Sequence, residues 1–164
     1  AEVLFFTSAD FVPPENEIKN LKIIPLLHIK NIDDYSHFML KELNQYVQTS
    51  HVLTVQWDGY VIHPEVWQQD FLTADYIGAP WPRESRLIVG NGGFSLRSKR
   101  LLEALQDVRI QSIHPEDNCI CLDNRELLEK EHGIKFASQD LAEQFAYEFA
   151  PPVAKPFGFA GQFE

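Results

Sequence analysis

Hydrophobic and polar positions alternate along this chain with two different periods. Short runs rich in branched and aromatic residues, bounded by polar, glycine or proline positions, are typical of β-strands. Three such runs are clear and three are weaker. The sequence therefore predicts strands at Val3–Ser8, Leu21–Leu27 and His51–Trp57, and further strands at Tyr76–Ala79, Gly93–Arg97 and Lys135–Ala137.

Helical periodicity separates several of these runs. It is clearest from Asp34 to Val47, where apolar side chains form one stripe and Asp33 or Asp34 can cap the first turn. A short helix is predicted over Pro64–Phe71, because proline suits a first helical turn. A further helix, capped by Ser98, is predicted from its apolar positions Leu101, Leu102, Leu105 and Val108.

A last long helix is predicted from Pro115 to about His132, where Gly133 supplies a left-handed end. The final stretch, APPVAKPFGFAGQFE, has no helical period and is predicted to be an ordered but irregular tail. Strands alternating with helices predict a single α/β domain over residues 1–164. We expect a mixed, mostly parallel sheet with helices on both faces and ligands at the strand ends.

Charge and cysteine content narrow the range of partners. The chain has 14 basic and 24 acidic residues, a net charge of −10, and this field repels a phosphate backbone, so nucleic acid is not expected as a partner. No apolar run approaches the ~20 residues that span a bilayer, and the opening residues lack a signal-peptide pattern. Cys119 and Cys121 would diverge on a helix, so free thiols and a cytoplasmic location are expected.

An acid ends the third predicted strand. In TVQWDGYVIHP the run stops at Asp58, which is followed by Gly59. At the carboxyl edge of a parallel strand, a carboxylate can hold a divalent cation, and the cation can hold a diphosphate. The alternative is an Asp that simply begins a turn with glycine beside it.

A glycine-rich stretch, VGNGGFSLRS, surrounds Asn91. Backbone N–H groups in such a loop can approach a sugar or a phosphate closely. The alternative is an Asn-Gly hairpin turn. Gly92 and Gly93 both lack side chains, which indicates that another group occupies the volume that their side chains would otherwise fill.

Two acids open the last predicted helix, in HPEDNCICLDNRELLEKEHG. Asp117 lies above the apolar stripe at the helix start, where the macrodipole stabilises an anion by ~0.3–1 kcal/mol. Asp117 is therefore eligible to accept a proton, with Glu116 beside it. The alternative is the ordinary enrichment of acids in first turns.

Three tryptophans offer rings for sugar stacking, although most tryptophans belong to cores. We predict Trp57 and Trp81 as substrate contacts and leave Trp67 as an alternative. The six histidines show no metal-ligand spacing such as HExxH.

Six blocks together resemble one known family. In order they are YSHFMLKEL, HVLTVQWDGYVIHPEVW, DFLTADYIGAPWP, GNGGFSLRSKRLLEAL, PEDNCICLDNRELLEKEHGIKFAS and FGFAGQF. They are similar to small bacterial proteins that carry a domain of unknown function and are thought to be GT-A-type glycosyltransferases. The same order more distantly resembles the β-1,4-galactosyltransferases.

The resemblance implies a GT-A-like, Rossmann-like fold and a set of roles. Asp58 would stand for the metal-binding acid, and Asp117 would be the catalytic base. Glu116 would contact donor or acceptor hydroxyls. The donor-sugar pocket would be lined by Gly92, Gly93 and Ser95, and we add Asn91 as a substrate contact.

Two departures from that family pattern change the expectation. Its members usually read FGFHG near the end, where the histidine is a third metal-contacting group, and Ala160 takes its position here. A methyl group cannot replace imidazole, so manganese or magnesium should bind weakly or not be used. Members also usually begin with a strand and helix before VLFFTS, which implies an N-terminal shortening and a sheet edge that a second copy of the chain could cover.

The expected function is transfer of a sugar from a nucleotide-sugar donor to an acceptor hydroxyl, with inversion and with Asp117 as base. The alternative is a non-catalytic module that binds nucleotide or sugar. A nucleotidyltransferase would need a glycine-rich loop with a basic residue after the first strand, and FFTSADFVPPEN has neither.

Overall fold

The structure is a computed structural model that describes residues 2–7, 20–81, 89–148, 152 and 155–161. In these residues the strands form three small sheets. One pairs β1 with β2, the second has the order β3-β6-β5, and the third has the order β4-β8-β7. The strands are β1 (Val3–Thr7), β2 (Leu21–Pro25), β3 (His51–Val55), β4 (Gly59–Val61), β5 (Tyr76–Gly78), β6 (Phe94–Ser98), β7 (Ala146–Tyr147) and β8 (Gly158–Ala160).

The prediction of a mixed α/β fold is confirmed, but the prediction of a mostly parallel sheet is wrong. Strand β6 runs antiparallel to both β3 and β5, and β4 runs antiparallel to β8. Parallel pairing occurs between β1 and β2 and between β7 and β8. The hydrophobic pattern of a strand fixes which face is buried and does not specify the direction of its neighbour.

Helix α1 (Ile32–His37) continues into π-helical Phe38–Glu42 and 3₁₀-helical Leu43–Gln45. Its N-cap is Asn31, whose side chain accepts a hydrogen bond from the N–H of Asp34 at 2.9 Å. The predicted caps, Asp33 and Asp34, instead lie in the first turn. Asn is as good a cap as Asp, and the structure starts the helix earlier than the apolar stripe does.

Helix α2 (Lys99–Ala104) confirms the predicted cap, because the N–H of Leu101 donates to Ser98 Oγ at 3.0 Å. Val108, predicted on its buried side, lies beyond the helix end and is 93% exposed. The predicted helix at Pro64–Phe71 consists of two 3₁₀ turns, Pro64–Val66 and Gln69–Thr73.

The last predicted helix is interrupted. It comprises α3 (Glu116–Asn118), π-helical Cys119–Asp123 and α4 (Arg125–Lys130), and Gly133 has the predicted left-handed φ of 64°. The predicted strand at Lys135–Ala137 is a single bridge between Phe136 and Tyr76. Helix α5 (Gln139–Phe145) was not predicted, and β8 lies in the stretch predicted to be irregular.

A cluster of aromatic side chains lies beneath β6 and β8. The ring centroid of Phe145 lies 5.2 Å from that of Phe71 and 5.3 Å from that of Phe94, and Phe157 packs against all three. A Cβ at Gly158 would lie 2.1 Å from a carbon of the Phe94 ring. Only glycine therefore lets β8 pack this closely on β6, and that packing brings the C-terminal strand to the acidic residues described below.

Three further observations complete the fold. Cys119 and Cys121 are free and buried, as predicted. No helix among the described residues is long and apolar enough to cross a membrane. Ser8, the predicted end of the first strand, and Phe163, the last residue of the block FGFAGQF, lie outside the described residues.

Candidate functional site

The glycine-rich loop makes a turn that is closed by its asparagine. Asn91 has a left-handed φ of 61°, and its side-chain oxygen accepts a hydrogen bond from the N–H of Phe94 at 3.2 Å. The hydroxyl of Tyr76 donates to the Asn91 carbonyl oxygen at 3.1 Å. Asn91 is therefore held through both its side-chain oxygen and its backbone carbonyl oxygen.

The volume left by Gly92 is occupied by a carboxylate. A Cβ at this position would lie 2.1 Å from Glu116 Oε1. The N–H of Gly92 donates a hydrogen bond to Asp117 Oδ2 at 3.1 Å. The two acids that open α3 thus contact the glycine loop directly. The Glu116 side chain fills the space beside Gly92, and the Asp117 side chain accepts a hydrogen bond from the Gly92 backbone.

Asp117 is half-buried and oriented by two backbone groups. One carboxylate oxygen accepts from the N–H of Gly92, and the other accepts from the N–H of Asn118 at 2.8 Å. Each oxygen keeps a further lone pair. The carboxylate is therefore held in one orientation while it remains able to accept a proton.

Glu116 and Arg97 form a buried ion pair. Arg97, on β6, has no exposed surface, and its Nη2 donates to Glu116 Oε1 at 3.1 Å. Its Nε donates to Ser95 Oγ at 3.0 Å, whereas Nη1 is buried without a hydrogen-bond partner among the described residues. Ser95 is fully buried as well, and its hydroxyl bonds with that of Thr54 at 2.7 Å. Beneath the loop, Glu116 thus contacts Arg97, and Ser95 contacts Arg97 and Thr54.

Asp58 lies in a turn between β3 and β4. The N–H of Gly59 donates to the Gln56 carbonyl oxygen at 2.9 Å, as the turn interpretation of this stretch predicted. The turn is tied to the glycine loop, since the N–H of Gln56 donates to the Gly93 carbonyl oxygen at 2.7 Å. It is also tied to the end of β8, because the N–H of Gly161 donates to the Asp58 carbonyl oxygen at 3.1 Å. Asp58 therefore reaches this site in a turn between two strands that pair antiparallel with their neighbours, and not at the edge of a parallel sheet.

A third acid, Glu148, follows β7 and joins the site. Its carboxylate bonds with the side chain of Asn91, and its Oε2 is buried without a hydrogen-bond partner among the described residues. Burial, together with the negative charges of Asp117 and Asp58, raises the pKa of Glu148 above its ordinary value, against the opposing effect of the Asn91 bond. Glu148 thus lies within electrostatic range of both predicted acids.

A family model described as a protein of unknown function, DUF5672, matches residues 18–160. The chain belongs to the DUF5672 family. Neither the comparison with curated proteins nor the comparison with solved structures gave a match.

A metal ion in this DUF5672 chain would be held by histidine, cysteine, aspartate or glutamate side chains. The described residues contain no group of three or more histidine, cysteine, aspartate or glutamate side chains that could hold one. Ala160 pairs with Gly59 across β8 and β4, and its methyl group packs, 2% exposed, in the aromatic cluster. The described residues thus offer no group of three such side chains for a cation, and no chemical step is assigned to one.

The three tryptophans of the DUF5672 chain differ sharply in environment. Trp57, in the turn beside Asp58, is 77% exposed. Trp81 is buried, and a Cβ at Gly90 would lie 2.2 Å from its ring. Trp67 packs edge-on against Phe71 and Phe157. Of the two predicted ring contacts, Trp57 is accessible to a ligand and Trp81 packs within the core.

Sequence reasoning missed Glu148, Arg97 and Tyr35. Tyr35 accepts a hydrogen bond from the Gln56 side chain at 2.6 Å, and burial and the nearby Glu116 charge raise its pKa to about 12. Glu148 did have a signal in the sequence. It is an acid that follows a short apolar run, as Asp58 does, but the run FAY is too short to stand out as a strand.

Proposed function

We propose that this chain transfers a sugar from a nucleotide-sugar donor to an acceptor hydroxyl, with inversion at the anomeric carbon and with Asp117 as the base. The observation that carries the proposal is the hydrogen bond from the Gly92 N–H to Asp117. It joins the predicted base to the predicted donor loop, in a site that also includes Asp58 and Glu148. Convergent polar groups of this kind are typical of ligand sites.

The chemical step needs one proton acceptor and one leaving group. The acceptor oxygen forms a bond to the anomeric carbon as its proton passes to a carboxylate oxygen of Asp117. The bond from that carbon to the diphosphate breaks, and its electron pair leaves with the diphosphate. General-base assistance of this kind contributes about 10²–10⁴-fold to a rate.

The other polar groups of the site suit sugar recognition. Carboxylate and amide groups such as those of Asp58, Glu148 and Asn91 bind hydroxyl groups well. Arg97 contributes a positive charge beneath the loop, but Glu116 balances it. We assign Asp58 to hydroxyl recognition because the described residues offer no group of three side chains that could hold a cation. We also place the chain in the cytoplasm, where free thiols such as Cys119 and Cys121 persist.

The proposal is tested by donor turnover. Purified full-length chain is incubated with UDP-glucose, UDP-galactose and GDP-mannose, and release of the nucleotide diphosphate is measured with and without added sugars. Asp117→Asn should lower the rate about 10²–10⁴-fold while the circular dichroism spectrum stays unchanged. Its thermal unfolding temperature should fall modestly, because the amide nitrogen of Asn cannot accept one of the two backbone hydrogen bonds that the Asp117 carboxylate accepts. Asp123→Asn, a matched change at an exposed acid on the same helical segment, should retain the full rate.

A second candidate function is a non-catalytic module that binds nucleotide or sugar. Ala160 favours it, since a buried methyl group stands where the resemblance implies a metal-contacting imidazole. Calorimetry separates the two functions. Heat of binding to the nucleotide-sugars with no diphosphate released from any of them supports the module, and release supports the enzyme.

A further inference from the structure

Trp57 is a large apolar side chain placed in solvent at the edge of the acidic site. It is 77% exposed, and Val55, Tyr60 and Val61 on either side of it are also exposed. An indole ring contributes little to the stability of the fold in such a position, because it buries little of its surface. An exposed aromatic ring beside convergent polar groups is a typical feature of a ligand site.

The backbone that carries this ring is held in place by hydrogen bonds. The turn that carries Trp57 is closed by the bond from the Gly59 N–H to the Gln56 carbonyl oxygen, and the Tyr60 hydroxyl donates to the Trp57 carbonyl oxygen at 3.4 Å. Bonds to Gly93 and Gly161 tie the turn to the glycine loop and to β8. The backbone of the turn is therefore ordered before a ligand binds, which lowers the entropic cost of binding.

Hydrogen-bonding groups flank the turn that carries the ring. Asp58 is its neighbour in the chain, and the backbone of Asp58 bonds to Gly161. A Cβ at Gly161 would lie 3.6 Å from Glu148 Cγ, so Glu148 flanks the same turn. The Oε2 atom of Glu148 has no hydrogen-bond partner among the described residues and is buried, a costly state that a ligand hydroxyl would relieve.

This combination matches a neutral saccharide. A pyranose ring offers a face of C–H groups that packs on an aromatic plane, and its hydroxyls donate to carboxylates and amides. Beside Trp57, sugars with phosphate or carboxylate groups would meet the negative charges of Asp58 and Glu148, and the diphosphate of a donor would have to lie away from this position. A protein surface or a membrane could also use an exposed tryptophan, but neither explains the adjacent acids, one of which has a carboxylate oxygen with no hydrogen-bond partner among the described residues.

We infer that Trp57 and Glu148 form a subsite for a neutral saccharide, with the ring stacked on the indole and its hydroxyls bound by the carboxylate. The assignment of that saccharide as the acceptor rests on the proposed transfer reaction. The subsite itself requires only that the sugar binds.

Nuclear magnetic resonance of the ¹⁵N-labelled full chain tests the inference, because its three tryptophans give three indole N–H signals. The Trp57 signal is identified from its loss in Trp57→Phe. Neutral mono- and disaccharides of the gluco, galacto and manno series are added at millimolar concentration, with glucuronic acid and glucose 6-phosphate as charged counterparts. We expect a saturable shift of the Trp57 signal with at least one neutral sugar, a weaker one with the charged sugars, and little change at Trp67 and Trp81.

Variants complete the test. Trp57→Ala and Glu148→Ala should each weaken binding of that sugar about tenfold or more, as followed by calorimetry. Val108→Ala, at a side chain that is exposed outside the site, should leave it unchanged. The inference is overturned if no neutral sugar shifts the Trp57 signal, or if charged sugars bind as tightly as neutral ones. It is also overturned if the signal shifts only when a membrane or another protein is added.

The outcomes also separate this inference from the proposed function. Sugar binding at Trp57 without turnover of any donor keeps the subsite and removes the transferase. Donor turnover that is lost in Asp117→Asn, with no response of Trp57 to any neutral sugar, keeps the transferase and removes the subsite.

Discussion

The backbone N–H of Gly92 donates a hydrogen bond of 3.1 Å to Oδ2 of Asp117. This bond joins the loop before β6 to the first turn of α3, two segments separated by 25 positions in the chain. It also explains the glycine, since Glu116 occupies the space where a side chain would project. The loop and the two acids therefore form one structural unit.

Gly92→Ala should destabilise that unit. The added methyl group would lie 2.1 Å from Glu116 Oε1, so either the loop or the buried ion pair must move. We expect a loss of about 1–3 kcal/mol in the free energy of unfolding, as for other overpacked sites, measured by urea denaturation. Gly93→Ala is the matched control, because its Cβ would meet the end of the flexible Gln56 side chain at 3.1 Å. Equal losses in the two variants would contradict this description of the loop.

Arg97→Met should leave Glu116 as a buried and unpaired carboxylate. Breaking a buried ion pair from one side typically costs about 3–5 kcal/mol. The double variant Arg97→Met, Glu116→Leu removes both charges and should recover part of that loss. Lys130→Met, which breaks an exposed pair with Glu126, should change the stability little. Denaturant unfolding measures all four proteins, and a double variant less stable than Arg97→Met alone would refute the pairing.

The raised pKa of Glu148 predicts a specific dependence of stability on pH. The folded protein binds the Glu148 proton more tightly than the unfolded chain does, so the contribution of Glu148 is fully present below its ordinary value of 4.5. That contribution is lost as the pH rises through the raised pKa of the folded state. Glu148→Gln, which stays neutral, should therefore gain stability relative to the natural chain as the pH rises from acid to neutral.

Thermal unfolding across that pH range measures the difference. Glu103→Gln, at an exposed acid on α2, is the control and should show a smaller trend. A stability difference between Glu148→Gln and the natural chain that stays constant with pH would mean that burial and the charges of Asp117 and Asp58 do not raise the pKa of Glu148.

Local elements were predictable where they depend on local sequence. The run of branched and aromatic residues from His51 identified β3, the Ser98 hydroxyl identified the start of α2, and Gly133 identified a left-handed helix end. Each of these depends on residues within a few positions in the chain.

The sheet order and the identity of the third acid depend on distant contacts. β6 pairs with β3 in the antiparallel direction, which no pattern within either strand specifies. Glu148 enters the site because β7 and β8 pair and Gly158 lets β8 pack on Phe94. The paired glycines did indicate that another group fills their volume, but that the group is Glu116 could be known only from the fold.

The stereochemistry of transfer tests the central claim most directly. The chain is incubated with an α-linked nucleotide-sugar and the acceptor sugar that moves the Trp57 signal, and the anomeric proton of the first product is followed by nuclear magnetic resonance. The account predicts a β-linked product from the natural chain and from Asp123→Asn, and almost none from Asp117→Asn. An α-linked first product, or a β-linked product formed at an undiminished rate by well-folded Asp117→Asn, would contradict it.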